Sequence, residues 1–164
     1  MTWRNLLLPL IGMMLSACAS TSPFDLKGVN RNLSPALAKS GADYQGKTAL
    51  WGGLIIQSNN LKERSEIEVL SYPLNDLGEP IRSAEAQGRF FIQQSGYLET
   101  AQYAPGRWVS ALGTVKAPVQ GKVGTADYTF PVIESRQLHL WSEASQSEQS
   151  NTQFMFGIGI GVHR

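Results

Sequence analysis

The chain has 164 residues, with 14 Lys and Arg against 13 Asp and Glu, and a formal net charge of +1 at pH 7. Its basic residues are scattered along the chain, whereas nucleic-acid binding depends on clustered basic residues that neutralise phosphates, so we expect no nucleic-acid partner. One cysteine excludes an intrachain disulfide framework, and sixteen glycines and eight prolines are typical of a protein built from short strands and turns.

The N-terminus carries the pattern of a secretory signal peptide. An apolar run over residues 6–15 follows a short start that contains Arg4, and two small residues separate the run from Cys18. A basic start, an apolar run of this length and small residues at its end are typical of a cleavable leader. We therefore predict a signal peptide over residues 1–17, with cleavage between Ala17 and Cys18.

A membrane-spanning anchor and a buried core helix are the alternatives to a leader. The run is about half of the roughly 20 apolar residues that a spanning helix needs, and Pro9 lies inside it. A core helix agrees with the hydropathy, but it does not explain why the run stops at Ser-Ala-Cys and gives way to polar residues.

The stretch Leu15-Ser16-Ala17-Cys18 resembles the lipobox of bacterial lipoproteins. The resemblance implies that the sulfur and the new amino group of Cys18 are acylated after cleavage. Two or more acyl chains attach a protein stably to a bilayer, whereas one chain binds reversibly. In lipoproteins that are retained in the inner membrane, Asp usually follows the cysteine. Ala19 occupies this position here, which favours the outer membrane. The expected partners are the membrane, through this lipid anchor, and the lipoprotein-processing and sorting machinery.

Residues 18–46 are predicted to form the lipidated N-terminus, a tether and a lead-in segment. The residues directly after the cysteine are small and polar, as in a linker. Further on, Ser34-Pro35 and Gly41 match a helix N-cap, a first-turn proline and a C-terminal glycine. We expect one or two turns of helix between them, with an irregular loop as the alternative.

Residues 47–141 are predicted to form one β domain. Strand patterns occupy five segments, 48–57, 66–69, 87–94, 107–116 and 128–141. The first is apolar on both alternating faces, as in a strand that is covered on both sides, and Gly52-Gly53 in its middle predicts a bend or a close backbone approach. The second alternates polar and apolar residues, as in a half-buried strand.

Between the third and fourth strands, residues 97–104 have apolar side chains at helical spacing. Three strands, a short helix and two further strands form the order of an OB fold. We therefore predict a mainly β fold, a small five-stranded OB-fold-like barrel with a short helix between strands three and four. A β-sandwich would need about seven strands.

Residues 142–164 are predicted to form a polar linker and an apolar C-terminal strand. From Phe154 to Val162, apolar side chains recur at every second position, with glycines at most of the positions between them. Period two predicts an extended strand. This strand could lie on the barrel edge or over its mouth, or it could act as a β-augmenting or bilayer-contacting tail.

Short motifs along most of the chain resemble the Slp family of outer-membrane lipoproteins. They are the lipobox, Gly46–Leu74, Gly88-Arg89-Phe90, Gln94–Leu98, Tyr103, Leu112–Val115, Gly121–Gly124, Tyr128–Val132 and Leu140-Trp141. The resemblance implies a non-enzymatic, lipid-anchored protein of the Gram-negative outer membrane that faces the periplasm. It also implies a contribution to envelope integrity or to resistance against starvation and acid stress. The resemblance assigns no catalytic residue to this chain, and the only residue role that it implies is the lipidation of Cys18.

No group of residues predicts catalysis, a metal site or a cofactor. His139 and His163 are distant in sequence and the one cysteine is expected to be acylated, so three or four metal ligands do not converge. Alternation places His139 on the strand face opposite its two leucine neighbours, at a surface or rim position. The glycine-rich stretches lack the Lys-Ser/Thr of a phosphate loop, and a solvated strand face explains Glu66 and Glu68.

The alternative function is a periplasmic ligand-binding module for a cell-wall glycan or a small metabolite. It would use the barrel face on which OB folds bind oligosaccharides. Trp51, Tyr97, Trp108 and Tyr128 are the candidate stacking residues, although we expect at least two of them in the core. A convergent exposed aromatic patch would favour ligand binding, and an apolar patch near the tail would favour an envelope protein partner.

Overall fold

The structure, a computed structural model, describes residues 21–40 and 42–142. The predictions for the leader, for Ala17 and Cys18, and for the C-terminal strand at 154–162 lie outside these residues. The predicted domain boundaries stay predictions. Among the described residues, no helix has the length and apolar character needed to cross a membrane.

Within this part of the chain, five strands form one sheet that closes on itself, and a short helix precedes them. The elements are α1 (Pro35–Lys39), a 3-10 helix (Ala42–Tyr44), β1 (Thr48–Asn60), β2 (Arg64–Ser71), β3 (Arg89–Ser95), β4 (Trp108–Val123) and β5 (Ala126–Trp141). Each strand has two neighbours, in the order β1-β2-β3-β5-β4 and back to β1. The pairing of β3 with β5 is parallel and the others are antiparallel. The predicted mainly β, five-stranded, OB-fold-like architecture is confirmed.

The main core lies inside this sheet. Side chains that point inward alternate along β2 and β3, where Ile67, Val69, Phe90 and Ile92 are completely buried. The residues between them, such as Glu68, are only partly buried because they point outward. The half-buried pattern predicted for the second strand is therefore confirmed.

A second apolar cluster covers the outer face of β1, β4 and β5. Leu50 and Leu112 belong to it, and they point outward because they alternate with Trp51 and Ala111 of the main core. Its members are Phe24, Leu50, Leu112 and Trp141, with Leu26, Val29, Leu74 and Trp108 packed against them. We call this group the outer cluster. The first strand is thus covered on both faces, as predicted.

The double glycine of β1 permits close contact with both neighbouring strands. A Cβ atom on Gly53 would overlap the carbonyl oxygen of Leu70 in β2, and one on Gly52 would overlap Ser110 Oγ in β4. Only glycine lets the backbones approach to this distance. The predicted close approach at this site is confirmed.

The position predicted for the short helix, between the third and fourth strands, is wrong. Residues 96–107 form turns, one of which is closed by the Tyr103 N–H donating to the Glu99 carbonyl at 3.2 Å. Pro105-Gly106 follows directly, so the stretch with helical spacing is too short to continue beyond its first turn.

The helix predicted after Ser34 is present and lies before β1. Ser34 caps α1, since its hydroxyl accepts a hydrogen bond from the Leu37 N–H at 3.3 Å, and Pro35 occupies the first turn as predicted. The helix buries Ala38 in the main core. A lead-in segment, rather than a crossover after β3, therefore supplies the helix that packs against the sheet.

Candidate functional site

Two of the four candidate stacking aromatics lie in different environments. Trp51 is 2% exposed, and its indole N–H donates to the Leu33 carbonyl at 2.6 Å while its ring meets Phe90 edge-on at 5.4 Å. Tyr97 is 74% exposed and follows the end of β3. Trp51 therefore has a packing role, whereas the Tyr97 side chain is open to solvent.

The other two lie at opposite ends of the β4–β5 hairpin. Trp108 is paired with Trp141, and Tyr128 with Gly121. Trp108 packs edge-on against Tyr72 at 5.0 Å. The ring of Tyr128 lies under the ammonium group of Lys39 at 4.1 Å, and its hydroxyl accepts the Arg89 N–H at 2.9 Å. Each ring is engaged within the fold, so these residues do not form one stacking surface.

The outer face of β2 and β3, where OB folds bind oligosaccharides, carries paired polar groups. Arg89 Nη1 donates to Glu68 Oε1 at 2.6 Å, and Gln93 Nε2 donates to Glu66 Oε2 at 3.2 Å. All four side chains are partly exposed. The solvated strand face predicted for Glu66 and Glu68 is confirmed, and each carboxylate interacts with a cross-strand partner.

His139 lies on the outer face of β5, half-buried, as its alternation predicts. Its ring is edge-on to Phe24 at 6.1 Å and to Trp141 at 4.4 Å. The ring therefore packs in the outer cluster. In residues 21–40 and 42–142, His, Cys, Asp and Glu side chains do not gather into a group of three or more that could hold a metal ion.

A cleft of about 230 Å³ opens between the lead-in segment and the end of β2. Apolar groups make most of its wall, from Leu33, Pro35, Leu50, Trp51, Tyr72, Pro73 and Leu74. The polar lining comes from Arg31, Ser34, Ser71 and Gln87, and Gly52 also lines the cleft. We call it the Arg31 cleft.

Backbone hydrogen bonds hold the two sides of the Arg31 cleft in position. On one side, Asn30 accepts the Leu33 N–H at 3.2 Å and donates its own N–H to Thr48 of β1 at 3.2 Å, which fixes the turn that carries Arg31. On the other side, the Tyr72 N–H donates to the Gly52 carbonyl at 3.0 Å and holds the end of β2 against β1. Both walls are thereby tied to β1.

Two polar groups of the Arg31 cleft stand out. Ser71 is 1% exposed, and its hydroxyl is buried without a hydrogen-bond partner. Arg31 is 42% exposed, and its Nη2 donates to the Asn75 carbonyl at 2.9 Å and lies 3.5 Å from the fully exposed Asp76 carboxylate. Sequence reasoning missed both residues. The sequence offered one signal for this cleft, because Ser71 is a polar residue at an inward-facing position of a strand whose burial alternates.

The comparisons with known proteins agree with the resemblance seen in the motifs. A model of the outer membrane lipoprotein Slp family matches residues 15–159. The chain belongs to this family. Outer membrane protein Slp of Escherichia coli K12 is 30% identical to this Slp-family chain over 138 residues, which cover 80% of the chain and 71% of that protein. The uncharacterised lipoprotein YeaY of the same organism is 25% identical over 146 residues, or 87% and 75% of the two chains.

A Haemophilus influenzae protein described as uncharacterised is 30% identical over 97 residues, which cover 58% of the Slp-family chain and 52% of that protein. The match thus spans about half the length of this relative. Among solved structures, a small single-stranded DNA-binding protein of Streptomyces coelicolor gives a TM-score of 0.34 at 11% identity, with 58% of this chain and 94% of that chain covered. A likeness at this level says nothing about a ligand.

Proposed function

We propose that this chain is a lipid-anchored lipoprotein whose β domain faces the periplasm and contributes, without catalysis, to the integrity of the outer membrane under starvation or acid stress. One observation supports a short attachment: Ser22, only four residues after Cys18, already donates a hydrogen bond to the Leu77 carbonyl of the β domain. Family membership supports the location and the lipoprotein class.

Residues 22–24 pack against three separate parts of the domain. The Ser22 hydroxyl donates to the Leu77 carbonyl at 2.8 Å, and Gln137 Nε2 of β5 donates to the Pro23 carbonyl at 2.6 Å. Phe24 is 5% exposed, within the outer cluster. Residues 22–24 are therefore part of the domain rather than a free linker before it.

The distance from Cys18 to Ser22 limits how far the domain can stand from a membrane. An extended chain spans at most about 3.6 Å per residue, so these four steps reach at most about 14 Å. The polar headgroup layer is itself roughly 5–8 Å thick on each side of the hydrocarbon. A lipidated Cys18 would hold the domain directly against the headgroups, where a protein acts on the membrane surface or on its close neighbours. We therefore also propose that the domain has a protein partner in the envelope.

A non-catalytic role is favoured by the polar surface of the sheet. Glu66 and Glu68, the carboxylates of the open β2 face, interact with Gln93 and Arg89 rather than with a nucleophile or a second acid. General acid–base chemistry needs a positioned group with a suitable pKa beside the reacting atoms. A glycan-binding role for the same face is not favoured, because the candidate aromatics lie apart from one another.

The anchor is tested in the native host by membrane fractionation of wild type, Cys18→Ser and Ser16→Ala. Ser16→Ala is the matched control, because the change lies within the leader and leaves the mature chain identical. Wild type and Ser16→Ala are expected in the outer membrane, and Cys18→Ser is expected to remain unprocessed at the inner membrane. Recovery of Cys18→Ser in the outer membrane with wild type would refute the anchor.

The stress role is tested separately, by survival of a deletion strain after acid challenge or prolonged starvation. Complementation with wild type and with Ser16→Ala is expected to restore survival, whereas Cys18→Ser at the same protein level is expected to behave like the deletion. Equal survival of the deletion and the wild type would refute the role and leave the location standing.

A further inference from the structure

We propose that the Arg31 cleft binds a small amphiphilic carboxylate, with the anionic head beside Arg31 and an apolar body against Trp51. This ligand site is independent of the membrane anchor. It also differs from the sheet face used by OB folds, because it lies between the lead-in segment and the exit of β2.

Ser71 is the first observation behind this assignment. Its hydroxyl is buried without a partner in the wall of the cleft. Leaving a buried hydroxyl unpaired costs free energy, and nearly all buried polar groups in folded proteins find partners. The inward positions before it on β2 hold Ser65, Ile67 and Val69, and the buried Ser65 hydroxyl donates to the Gly96 carbonyl at 2.9 Å, whereas the Ser71 hydroxyl has no partner. Because this oxygen has almost no accessible surface, rotation of the side chain about Cα–Cβ would turn it towards the cleft, where a polar group of a ligand would supply the missing hydrogen bond.

Arg31 is the second observation, and it selects the charge of the ligand. Its guanidinium carries five N–H donors in a planar fork that suits a carboxylate. The Asn75 carbonyl holds Nη2 in place at 2.9 Å. The nearby Asp76 is fully exposed, so its ion pair with Arg31 is screened by water and weak. A carboxylate that is partly enclosed by the cleft can therefore displace Asp76.

The volume and the walls of the Arg31 cleft select the body of the ligand. A dry cavity of about 150 Å³ holds benzene, so about 230 Å³ accommodates roughly nine or ten non-hydrogen atoms. A disaccharide is more than twice that size. Leu33, Leu50, Trp51 and Leu74 offer an apolar wall to an aromatic ring or a short hydrocarbon chain. Together these limits favour a compact organic acid over the glycan considered from the sequence.

Phenylacetate is a suitable probe, and phenylacetamide is its matched neutral analogue. Binding is measured by isothermal titration calorimetry on the full chain in lipid nanodiscs, with empty nanodiscs as the blank. We expect saturable binding of one phenylacetate per chain, with phenylacetamide at least about tenfold weaker, because it lacks the charge that Arg31 pairs with. Absence of saturable binding, or equal binding of the two compounds, would overturn the assignment.

Variants at the two polar residues locate the site. Arg31→Gln is expected to weaken phenylacetate binding about tenfold, whereas Arg64→Gln, the same charge change on an exposed residue at the start of β2, leaves it unchanged. Circular dichroism is expected to show the wild-type fold in both, because both side chains are at least partly exposed. Equal weakening by the two variants would show a nonspecific charge effect and refute the site.

Ser71→Ala separates ligand binding from a structural role. Removal of an unpaired buried hydroxyl is expected to leave Tm unchanged or raise it by roughly 2–4 °C, while phenylacetate binding weakens about threefold to tenfold. A group that served only the fold would lower Tm and leave the affinity alone. A fall in Tm without a loss of affinity therefore contradicts a role for Ser71 in the cleft.

Discussion

The two halves of the sheet differ in how many of their faces are buried. In β1, five consecutive residues from Ala49 to Gly53 are buried, whereas β2 alternates buried and partly exposed residues along its whole length. The outer face of β1 is covered by Phe24 and its neighbours in the outer cluster, and the outer face of β2 is open to solvent. The comparison shows that Phe24, six residues after Cys18, is part of the fold. The proposed attachment at Cys18 and the closure of the outer cluster therefore lie in one short stretch of the chain.

The largest effect is expected from the inner side of β1. Trp51→Ala removes a fully packed ring and should lower the free energy of unfolding by about 3–5 kcal/mol, measured by urea denaturation. Trp51→Phe is the matched control, because it keeps a ring and loses the hydrogen bond to Leu33, at a cost of about 1–3 kcal/mol. If Trp51→Ala lowered the free energy of unfolding no more than Trp51→Phe did, the ring would not be a core element.

A smaller effect is expected on the outer side. Phe24→Ala should lower the free energy of unfolding by about 2–3 kcal/mol, less than Trp51→Ala because a site near the surface can relax around the change. Leu37→Ala, at a side chain 46% exposed, should change it by no more than about 0.5 kcal/mol. Hydrogen exchange should show faster opening of residues 22–30 in Phe24→Ala. Equal stability of Phe24→Ala and Leu37→Ala would show that the outer cluster contributes nothing.

The ion pair on the open face of β2 should contribute less to the free energy of unfolding than Trp51 or Phe24 does. Glu68→Gln breaks the ion pair with Arg89, whose side chains are 17% and 31% exposed, and should cost about 0.5–1 kcal/mol. Asp127→Asn breaks the pair with Lys122, whose side chains are 90% and 65% exposed, and should leave stability unchanged. Urea denaturation with a double-mutant cycle at Glu68 and Arg89 measures the coupling. If the coupling energy between Glu68 and Arg89 were as small as the effect of Asp127→Asn, the two ion pairs would not differ in their contribution to stability.

The smallest effect is confined to alkaline pH. Burial raises the pKa of the Tyr103 hydroxyl above its usual value of 10.0. The unfolded chain therefore releases this proton first, so the stability contributed by the neutral hydroxyl is complete below about pH 10 and is lost as pH rises towards the folded pKa. Tyr103→Phe should flatten this decline in urea denaturation between about pH 9 and pH 11. Tyr97→Phe, at an exposed side chain, should retain the wild-type decline, and an equal decline in Tyr103→Phe would contradict the assignment.

The strands were predictable because their patterns are local. Alternation identified β2, and an apolar run on both faces identified β1 as a doubly covered strand. The extension of β4 to Val123 was missed because its last residues pair only with β5 and stay exposed or half-buried, and because Pro118 and Gly121 are unusual inside a strand. The helix predicted between the third and fourth strands does not form because Pro105-Gly106 ends the stretch with helical spacing, a constraint that outweighs two or three apolar matches.

The Arg31 cleft was not predictable because its residues are distant in sequence. Arg31, Ser71 and Gln87 meet only after the lead-in segment folds over β1 and the chain turns back after β2. No spacing rule joins such positions. The aromatic candidates were chosen for residue type alone, and burial decided the environment of each one separately.

The most direct test of the anchored fold is the mass of the N-terminal tryptic peptide, from Cys18 to Lys27, isolated from the native host. The anchored fold predicts a peptide that begins at Cys18 and whose mass exceeds that of its amino acids by a diacylglyceryl group and an amide-linked acyl chain. A peptide with an unmodified Cys18, or one that runs from Asn5 to Lys27 because the leader is retained, would contradict it.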